Sequence, residues 1–400
     1  MSRRLAVFGT FDVENYGDLL FPLVAQACLA DAGVEVVPVS PTDSAVGYAD
    51  SHRPLSFAEF ARDPMRFDGV LIGGGNIVHL RDFGLPAYPS TAYAALWLGA
   101  TAHAVAHGLP VCWNAPGVLA PRDPGPPPPW LARATAAADH FAVRDVPSAD
   151  AMGRWSGRRP EVLPDPALDL ARLWPRDTLM ARAGVLWGEL GLDDGGPVIA
   201  LHVKRRSLRD QPLAEFAAAL DGALAATGAR AVLLALGRCH DDHTLVQELH
   251  ALAPARTVAF AQTDRLRDIA AVIAGATAYV GASLHGHITA AAYGTPARVV
   301  AVPALHKFAG QARTMGRSDD LAADWAAALE ALPTVLAENR RPLPAEVGTQ
   351  LSGHWARIAG LVRDGRTGPD RPAVFRRPNI ARALQRVVDE ANAALAPAGR

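Results

Sequence analysis

The stretch "GASLHGHITAAAYGTPARVV", residues 281–300, joins the end of one apolar run to the start of another. Asp, Glu, Lys and Arg are absent from 269 to 297, so this part of the chain is predicted to be buried. An apolar run, a glycine, an alanine-rich segment and a second apolar run are typical of a strand–helix–strand unit in a parallel sheet. His285 falls at the turn between the first strand and the helix.

The same arrangement of apolar run, glycine turn and alanine-rich helix recurs on both sides of this stretch. The segment "GVLIGGGN" (69–76), for example, is predicted to be a buried strand that leads into a glycine turn. A region with Pro and a Gly–Asp turn, 168–196, interrupts the series, and the pattern then restarts. We predict strands at 4–10, 34–40, 69–76, 109–117, 140–145, 160–167, 197–203, 229–237, 256–261, 277–282 and 297–302.

Repeated strand–helix units indicate an α/β protein with parallel sheets. The interruption divides them into an N-terminal Rossmann-like domain at 1–175 and a C-terminal one at 190–335. A helical tail at 336–400 follows, with a helix predicted at 377–395. Because ligands of such sheets bind outside the carboxyl ends of the strands, we expect both sheets to face an interdomain cleft that holds the site.

Composition and charge narrow the classes of function. The 400 residues are 50% hydrophobic with a formal net charge of −1, which argues against nucleic acid as a partner. Three scattered cysteines argue against a disulfide framework or zinc site, and no HExxH, P-loop or DxD motif implies a metal or resident cofactor. The N-terminus lacks a signal-peptide core, and the apolar segment 86–121 breaks at "GLP", so we expect a soluble, cytoplasmic chain.

His285 is the first candidate for chemistry because of its place before a helix. The N-terminus of a helix presents backbone N–H groups and a partial positive charge, which together suit a phosphate or carboxylate. The same field disfavours a protonated imidazole, so we expect His285 to be neutral and able to transfer a proton. Gly286 is expected to allow a tight turn there. The alternative for His285 is a structural histidine bonded to a backbone carbonyl. We assign a structural role to His287.

Cations gather where a second strand ends. "HVKRRSLRD" (202–210) places Lys204, Arg205 and Arg206 directly after the strand at 197–203, where a phosphorylated ligand would need positive charge. The alternative is a solvated basic loop. Lys307 follows the strand at 297–302 and could add charge on the side expected for His285.

Polar groups and glycines follow two strands of the N-terminal domain. Asn15 and Asp18 lie at a strand-to-helix junction, where they could bind sugar hydroxyls or where Asp18 could simply cap the helix. The turn with Gly74, Gly75 and Asn76 allows close approach of a ligand or of neighbouring backbone.

Two further segments are assigned structural roles. Arg144 and Asp145 follow the strand at 140–145 and are predicted to form an internal ion pair. The segment "VLPDPALDL" (162–170) is predicted to turn the chain into the interdomain region.

Taken together, these stretches resemble the polysaccharide pyruvyl transferase family. The resemblance spans about 4–316 and is strongest at the SLHG segment. The pieces that carry it are "NYGDLLF", "LIGGGN", "VRDVPSADAM", "VLPDPA", "IALHVKR" and "AAVIAGATAYVGASLHGHITAAAYGTPARVV".

The resemblance implies a GT-B-like fold and transfer of pyruvate from phosphoenolpyruvate, a co-substrate, onto two hydroxyls of a sugar as a ketal. His285 matches the family's catalytic histidine, whereas Lys204 and Ser283 stand where members often carry donor-binding arginines. Neither replacement offers the two-pronged hydrogen bonding of a guanidinium. Our assignment gives His285 proton transfer; Lys204, Arg205, Arg206, Ser283, Leu284, Gly286 and Lys307 the donor; and Asn15, Asp18, Gly74, Gly75 and Asn76 the acceptor.

Two other functions stay open. A glycosyltransferase of the same architecture would use a sugar-nucleotide donor and need a carboxylate for the ribose, with Asp264 and Asp268 as candidates. A non-catalytic glycan-binding relative would bind without turnover. The acceptor could be a polymer, a lipid-linked oligosaccharide or a small glycoside, and the sequence does not fix whether the chain forms a homo-oligomer.

Overall fold

The computed structural model describes residues 2–63, 66–79, 95–119, 129–302 and 305–365. Two parallel sheets dominate it, one of five strands and one of six, with helices packed on both. We refer to the part up to β9 as the first half and to the part from β10 to α14 as the second half, with all element bounds given below.

The first half is built on β1, whose neighbours are β2 and β4, in the strand order β3-β2-β1-β4-β6. Its central strands are buried on both faces, which explains their unbroken apolar runs. The strands are β1 (Arg3–Phe8), β2 (Val34–Ser40), β3 (Leu55–Ser56), β4 (Gly69–Ile72), β5 (Val78–His79), β6 (Val111–Trp113), β7 (Val118–Leu119), β8 (Ala142–Val143) and β9 (Glu161–Val162). The helices here and in the connection to the second half are α1 (Tyr16–Leu29), α2 (Phe57–Arg62), α3 (Ala100–Ala106), α4 (Pro129–Ala136), α5 (Val146–Ser156), α6 (Leu170–Leu173) and α7 (Arg176–Glu189).

The second half repeats the plan with the strand order β12-β11-β10-β13-β14-β15, all parallel. The strands are β10 (Val198–His202), β11 (Arg230–Leu234), β12 (Thr257–Phe260), β13 (Ala278–Gly281), β14 (Ala297–Val300) and β15 (Leu321–Ala322). The helices that follow β10 are α8 (Leu213–Thr227), α9 (Asp242–Leu252), α10 (Leu266–Gly275), α11 (Leu284–Ala292), α12 (Leu305–Thr314), α13 (Trp325–Glu330), α14 (Leu332–Ala337) and α15 (Ala345–Asp364).

Most predicted strands are present, and several differ in detail. The strand predicted at 140–145 is only the two-residue β8, because Asp145 already caps α5. The short β3 and α2 and the edge strand β15 were not predicted, since each is too short to leave a periodic pattern. The helix predicted at 377–395 lies outside the described residues.

The last described helix returns to the first half. Val362 of α15 packs against Gly69 of β4, and Arg3 of β1 donates a hydrogen bond to the carbonyl of Arg363. The described part of the predicted tail therefore completes the packing of the first sheet. The boundaries predicted at 175, 190 and 335 stay predictions.

The two halves meet along the carboxyl ends of their strands. Asn15, after β1, forms an isolated antiparallel bridge with Gly237, after β11. The Tyr16 amide donates to the carbonyl of Leu236 over 2.8 Å, and the same apolar cluster continues from α1 through α10 and α11. This contact brings the first turn of α1 to the strand ends of the second sheet.

Candidate functional site

His285 lies in the first turn of α11, directly after β13. Ser283 is the N-cap of this helix, and its hydroxyl accepts a hydrogen bond from the Gly286 amide over 3.3 Å. The cap explains why the chain turns here from strand to helix. The His285 side chain is 12% exposed, so it is largely enclosed yet reachable.

The His285 ring packs against the beginning of α1 in the first half. A Cβ on Gly17 would lie 1.9 Å from His285 Nδ1, so only glycine leaves room for the imidazole. One turn later, the ring of Phe21 meets the imidazole edge-on, with 5.4 Å between the two ring centroids. Next to this contact, the hydroxyls of Tyr16 and Thr289 are 2.9 Å apart. His285 is therefore held between the two halves.

The polar residues predicted for the acceptor side converge beside this contact. Asn15 caps α1, and its amide also donates to Asp18 Oδ2 over 2.9 Å; the Thr10 hydroxyl donates to the same oxygen over 3.1 Å. The helix cap is thus Asn15, whereas Asp18 is a partly buried acceptor. Gly75, at φ +77°, passes so close that a Cβ would lie 2.7 Å from Asp18 Oδ1. Gly74 is similarly packed on the ring of Phe21.

Arg144 is a buried cation that the sequence analysis assigned only to an internal pair. Its guanidinium donates to the Asn76 carboxamide and, over 3.4 Å, to Asp165 Oδ2. Asp145, the predicted partner, is farther away, with 3.8 Å between Arg144 Nε and its carboxylate. The Arg144 side chain is 1% exposed and its Nε has no hydrogen-bond acceptor among the described residues. The strand end at β8 thus supplies a guanidinium beside the glycine turn.

Asp165 connects this cation to the histidine. Its Oδ2 lies 4.0 Å from His285 Nε2, and the carboxylate is fully buried. No role in the site was predicted for Asp165, whose segment was predicted only to turn the chain into the interdomain region. The signal that could have identified it is the aspartate in "VLPDPA", which follows β9 at a strand end.

Lys204 is half-buried at the carboxyl end of β10. Burial lowers the pKa of this ammonium, and the charges of Asp242 and Asp18 oppose the shift. Lys204, predicted for the donor side, and Asp18, predicted for the acceptor side, are therefore close enough for their charges to interact.

A buried histidine–carboxylate hydrogen bond lies at the end of β10. His202 Nε2 lies 3.0 Å from Asp242 Oδ2, and both side chains are almost fully buried. Burial raises the pKa of the Asp242 carboxyl, but His202 and Lys204 outweigh that effect and leave the pKa below its ordinary value. This pair, which the sequence analysis missed, lies beside Lys204.

The two arginines after Lys204 are exposed. Arg205 pairs with Glu248 of α9 at 2.5 Å, and Arg206 lies at the surface. Their predicted role in donor binding remains a prediction. Lys307 lies in the first turn of α12, but its side chain lies outside the described residues.

Gly286 has a different reason for being glycine than the one predicted. It lies inside α11, and a Cβ on it would be 2.1 Å from the Tyr279 hydroxyl. Its place is set by close packing rather than by a tight turn. Leu284 is buried beside it, and His287 hydrogen-bonds Asp320 over 2.8 Å in the interior.

Of the two carboxylates considered for binding a ribose, Asp268 is paired with an arginine and Asp264 is exposed. Asp268 is held by Arg182 through two hydrogen bonds of 2.8 Å, and the Asp264 side chain is 73% exposed. The N-terminus of α10, near both, is occupied by Asp50, whose carboxylate accepts from the amides of Leu266 and Arg267.

Among the described residues, none of the helices is long and apolar enough to cross a membrane. The same residues contain no group of three or more His, Cys, Asp or Glu side chains that could hold a metal ion.

Comparison with known proteins gives a family and a fold. The family model described as polysaccharide pyruvyl transferase matches residues 15–303. No curated protein matches the sequence.

Solved structures resemble most of the chain at low sequence identity. UDP-GlcNAc 2-epimerase from Methanocaldococcus jannaschii is 10% identical with a TM-score of 0.60, covering 91% of this chain and 100% of its own. The S. aureus MnaA–UDP complex is 12% identical with a TM-score of 0.53, covering 91% and 96%. With the two parallel sheets described above, this likeness confirms the predicted α/β, GT-B-like fold.

Proposed function

Because the chain belongs to the polysaccharide pyruvyl transferase family, we propose that it transfers a pyruvyl group from phosphoenolpyruvate onto two hydroxyls of a sugar. The product is a pyruvate ketal on a glycan or glycoside, and inorganic phosphate is released. The proposal includes no resident cofactor, and phosphoenolpyruvate serves as co-substrate.

The chemistry requires a proton donor, a proton acceptor and sites for two anionic groups. Protonation of the methylene carbon leaves a cation-like centre at C2, which the first sugar hydroxyl attacks and so loses its proton. Phosphate then leaves, and the second hydroxyl closes the ketal and releases its proton. A positioned imidazole suits the first proton transfer, and fixed positive groups suit the developing phosphate.

The observation that carries the proposal is the contact between His285 and Gly17. It sets the imidazole at the meeting point of the predicted donor groups on the second half and the predicted acceptor groups on α1. We assign proton transfer to His285 and contact with sugar hydroxyls to Asn15, Asp18 and the glycine turn at 73–76.

Arg144 supplies the guanidinium that the sequence lacks at 204 and 283. Its fork is buried, is fixed by Asn76 and Asp165, and is linked through Asp165 to His285. A fixed guanidinium binds a carboxylate or phosphate through two parallel hydrogen bonds. We therefore assign the donor anions to Arg144, Lys204 and the amides at the start of α11.

Thermal stabilisation by ligands tests the choice of donor. A ligand that binds only the folded state raises the melting temperature by mass action. Phosphoenolpyruvate is expected to stabilise the wild type, and Arg144→Lys and Lys204→Ala are expected to lose most of this shift. Arg256→Ala is the matched control, because Arg256 pairs with Asp221 just before β12, away from the strand ends that form the site.

A second assay separates binding from transfer. Incubation with phosphoenolpyruvate and a panel of glycosides should release phosphate and give a product heavier than the acceptor by one ketal-linked pyruvate. Stabilisation by UDP-sugars or GDP-sugars with none by phosphoenolpyruvate would contradict the proposal and favour a glycosyltransferase. Binding of glycans with no turnover of any donor would instead favour a non-catalytic relative.

A further inference from the structure

Asp165 is a fully buried carboxylate between two residues of the proposed site. It caps the single-turn helix Pro166–Asp169, where its Oδ1 accepts from the Ala167 amide over 3.1 Å. Its Oδ2 accepts from Arg144 over 3.4 Å and lies 4.0 Å from His285 Nε2. The two oxygens of Asp165 therefore serve a cap on one side and the site on the other.

The cap does not explain why this residue carries a charge. Asn caps a helix about as well as Asp does, and burial of a carboxylate costs free energy unless charges or hydrogen bonds compensate it. Arg144 supplies one such partner, but Asp145 also lies beside its guanidinium. His285 is a second ionisable group beside Oδ2, with its Nε2 4.0 Å away.

We propose that Asp165 is a positioning residue for His285. The charge of its carboxylate, 4.0 Å from Nε2, favours the tautomer of the neutral imidazole that carries its proton there, and it stabilises the imidazolium that forms during proton transfer. This charge opposes the positive field at the start of α11, so both protonation states of the histidine become accessible. The inference deepens the proposed function and rests on the role of His285 in it.

The groups around the His285 ring determine how readily it binds a proton. Asp165 faces it from the single-turn helix, with Arg144 behind. From α1, Gly17 and Phe21 contact the ring, and Asp18 lies beside Gly17 with its carboxylate held by Asn15 and Thr10. Asp165 is thus the carboxylate expected to dominate the protonation of His285.

Asp165→Asn tests the proposal because it keeps the shape and the Oδ1 cap while it removes the charge. We expect kcat for pyruvyl transfer to fall about 100-fold, with less than about a threefold change in KM for phosphoenolpyruvate. Asp145→Asn is the matched control, since Asp145 is also buried, caps α5 through Ser148 and lies beside Arg144. If Asp165 acts only through Arg144, both variants will raise KM alike and leave kcat unchanged, which overturns the proposal.

Nitrogen-15 NMR of the histidine side chains gives a readout that needs neither turnover nor a variant that folds. In the wild type, the neutral His285 ring is expected to carry its proton on Nε2, and a proton on Nδ1 overturns the proposal. In Asp165→Asn, the pH midpoint of the His285 signal should fall. The wild type could show the Nε2 tautomer, and Asp165→Asn the lower pH midpoint, while the wild type transfers no pyruvate. In that case the proposed function fails while the Asp165–His285 coupling stands.

Discussion

At the scale of single residues, the site depends on two glycines, which have no side chain, as well as on its polar side chains. Gly17 leaves the space that the His285 ring fills, and Gly286 leaves the space for the Tyr279 hydroxyl. The sequence identified His285 from its place between a strand and a helix. It could not identify Asp165 or Arg144 as its neighbours, because no local pattern connects residues that only the tertiary fold brings together.

Replacement of His285 by Asn removes the proton-transfer group while the side chain stays polar and of similar size. We expect transfer to fall by about 10²- to 10⁴-fold, the usual contribution of general acid–base catalysis, while phosphoenolpyruvate still stabilises the fold. Steady-state phosphate release and thermal shifts measure the two effects. Retention of most of the activity would remove His285 from the mechanism.

Gly17→Ala introduces a methyl group where the His285 ring now lies. Because Gly17 is in a helix, alanine should favour α1 itself, but the ring must move, and a displacement of about 1 Å can cost about 100-fold in rate. Gly222→Ala in α8 is the control, since nothing lies within 4 Å of its Cβ position. Equal kcat values for the two variants would show that the ring position does not matter.

At the scale of elements, α10 is capped by the other half of the molecule. Asp50, in the loop between β2 and β3, accepts from the amides of Leu266 and Arg267 over 2.8 and 2.9 Å. The residue before the helix, Arg265, makes no side-chain cap. The sequence predicted α10 from its apolar pattern, but its cap comes from a distant loop that no local signal can reveal.

Asp50→Ala should therefore destabilise the fold more than the loss of an ordinary surface carboxylate. Two amides lose their acceptor, so we expect a loss of about 1–2 kcal/mol in the free energy of unfolding, measured by urea denaturation. Asp43→Ala is the matched change in the same loop, because Asp43 forms an exposed pair with Arg53. A cost no larger than that of Asp43→Ala would mean that the contact between halves adds nothing to stability.

At the scale of the whole molecule, α15 is joined to the first half by buried histidines. His140 and His354 are 2.7 Å apart, and His354 also hydrogen-bonds Asn114 over 2.9 Å. Burial lowers the pKa of both imidazoles, and each also lies near another basic group, Arg357 for His140 and His140 for His354. The two sheets and the order of their strands in the chain were predictable, because the central strands are largely apolar runs. This contact, like the return of α15, depends on residues far apart and could not be predicted.

Stability should fall as the solution becomes acidic. Unfolded histidines bind protons below about pH 6.5, whereas these two stay neutral in the fold, so each proton costs up to about 1.4 kcal/mol per pH unit below that value. In His354→Gln, the slope of the unfolding free energy between about pH 6.5 and 4.5 should be shallower than in the wild type. His243→Gln, a histidine substitution at an exposed position, is the control. Equal slopes in all three proteins would contradict the conclusion that His140 and His354 stay neutral in the fold.

The return of α15 to the first sheet also has a consequence for synthesis on the ribosome. Every strand of the second sheet lies within 198–322, whereas α15, which packs on the first sheet, is not complete until residue 364 has left the exit tunnel. Since domains generally fold as units during translation, the half that is made later is the one that can close first. Nascent chains arrested before 345 should expose the apolar surface that α15 covers and be the forms that chaperones bind.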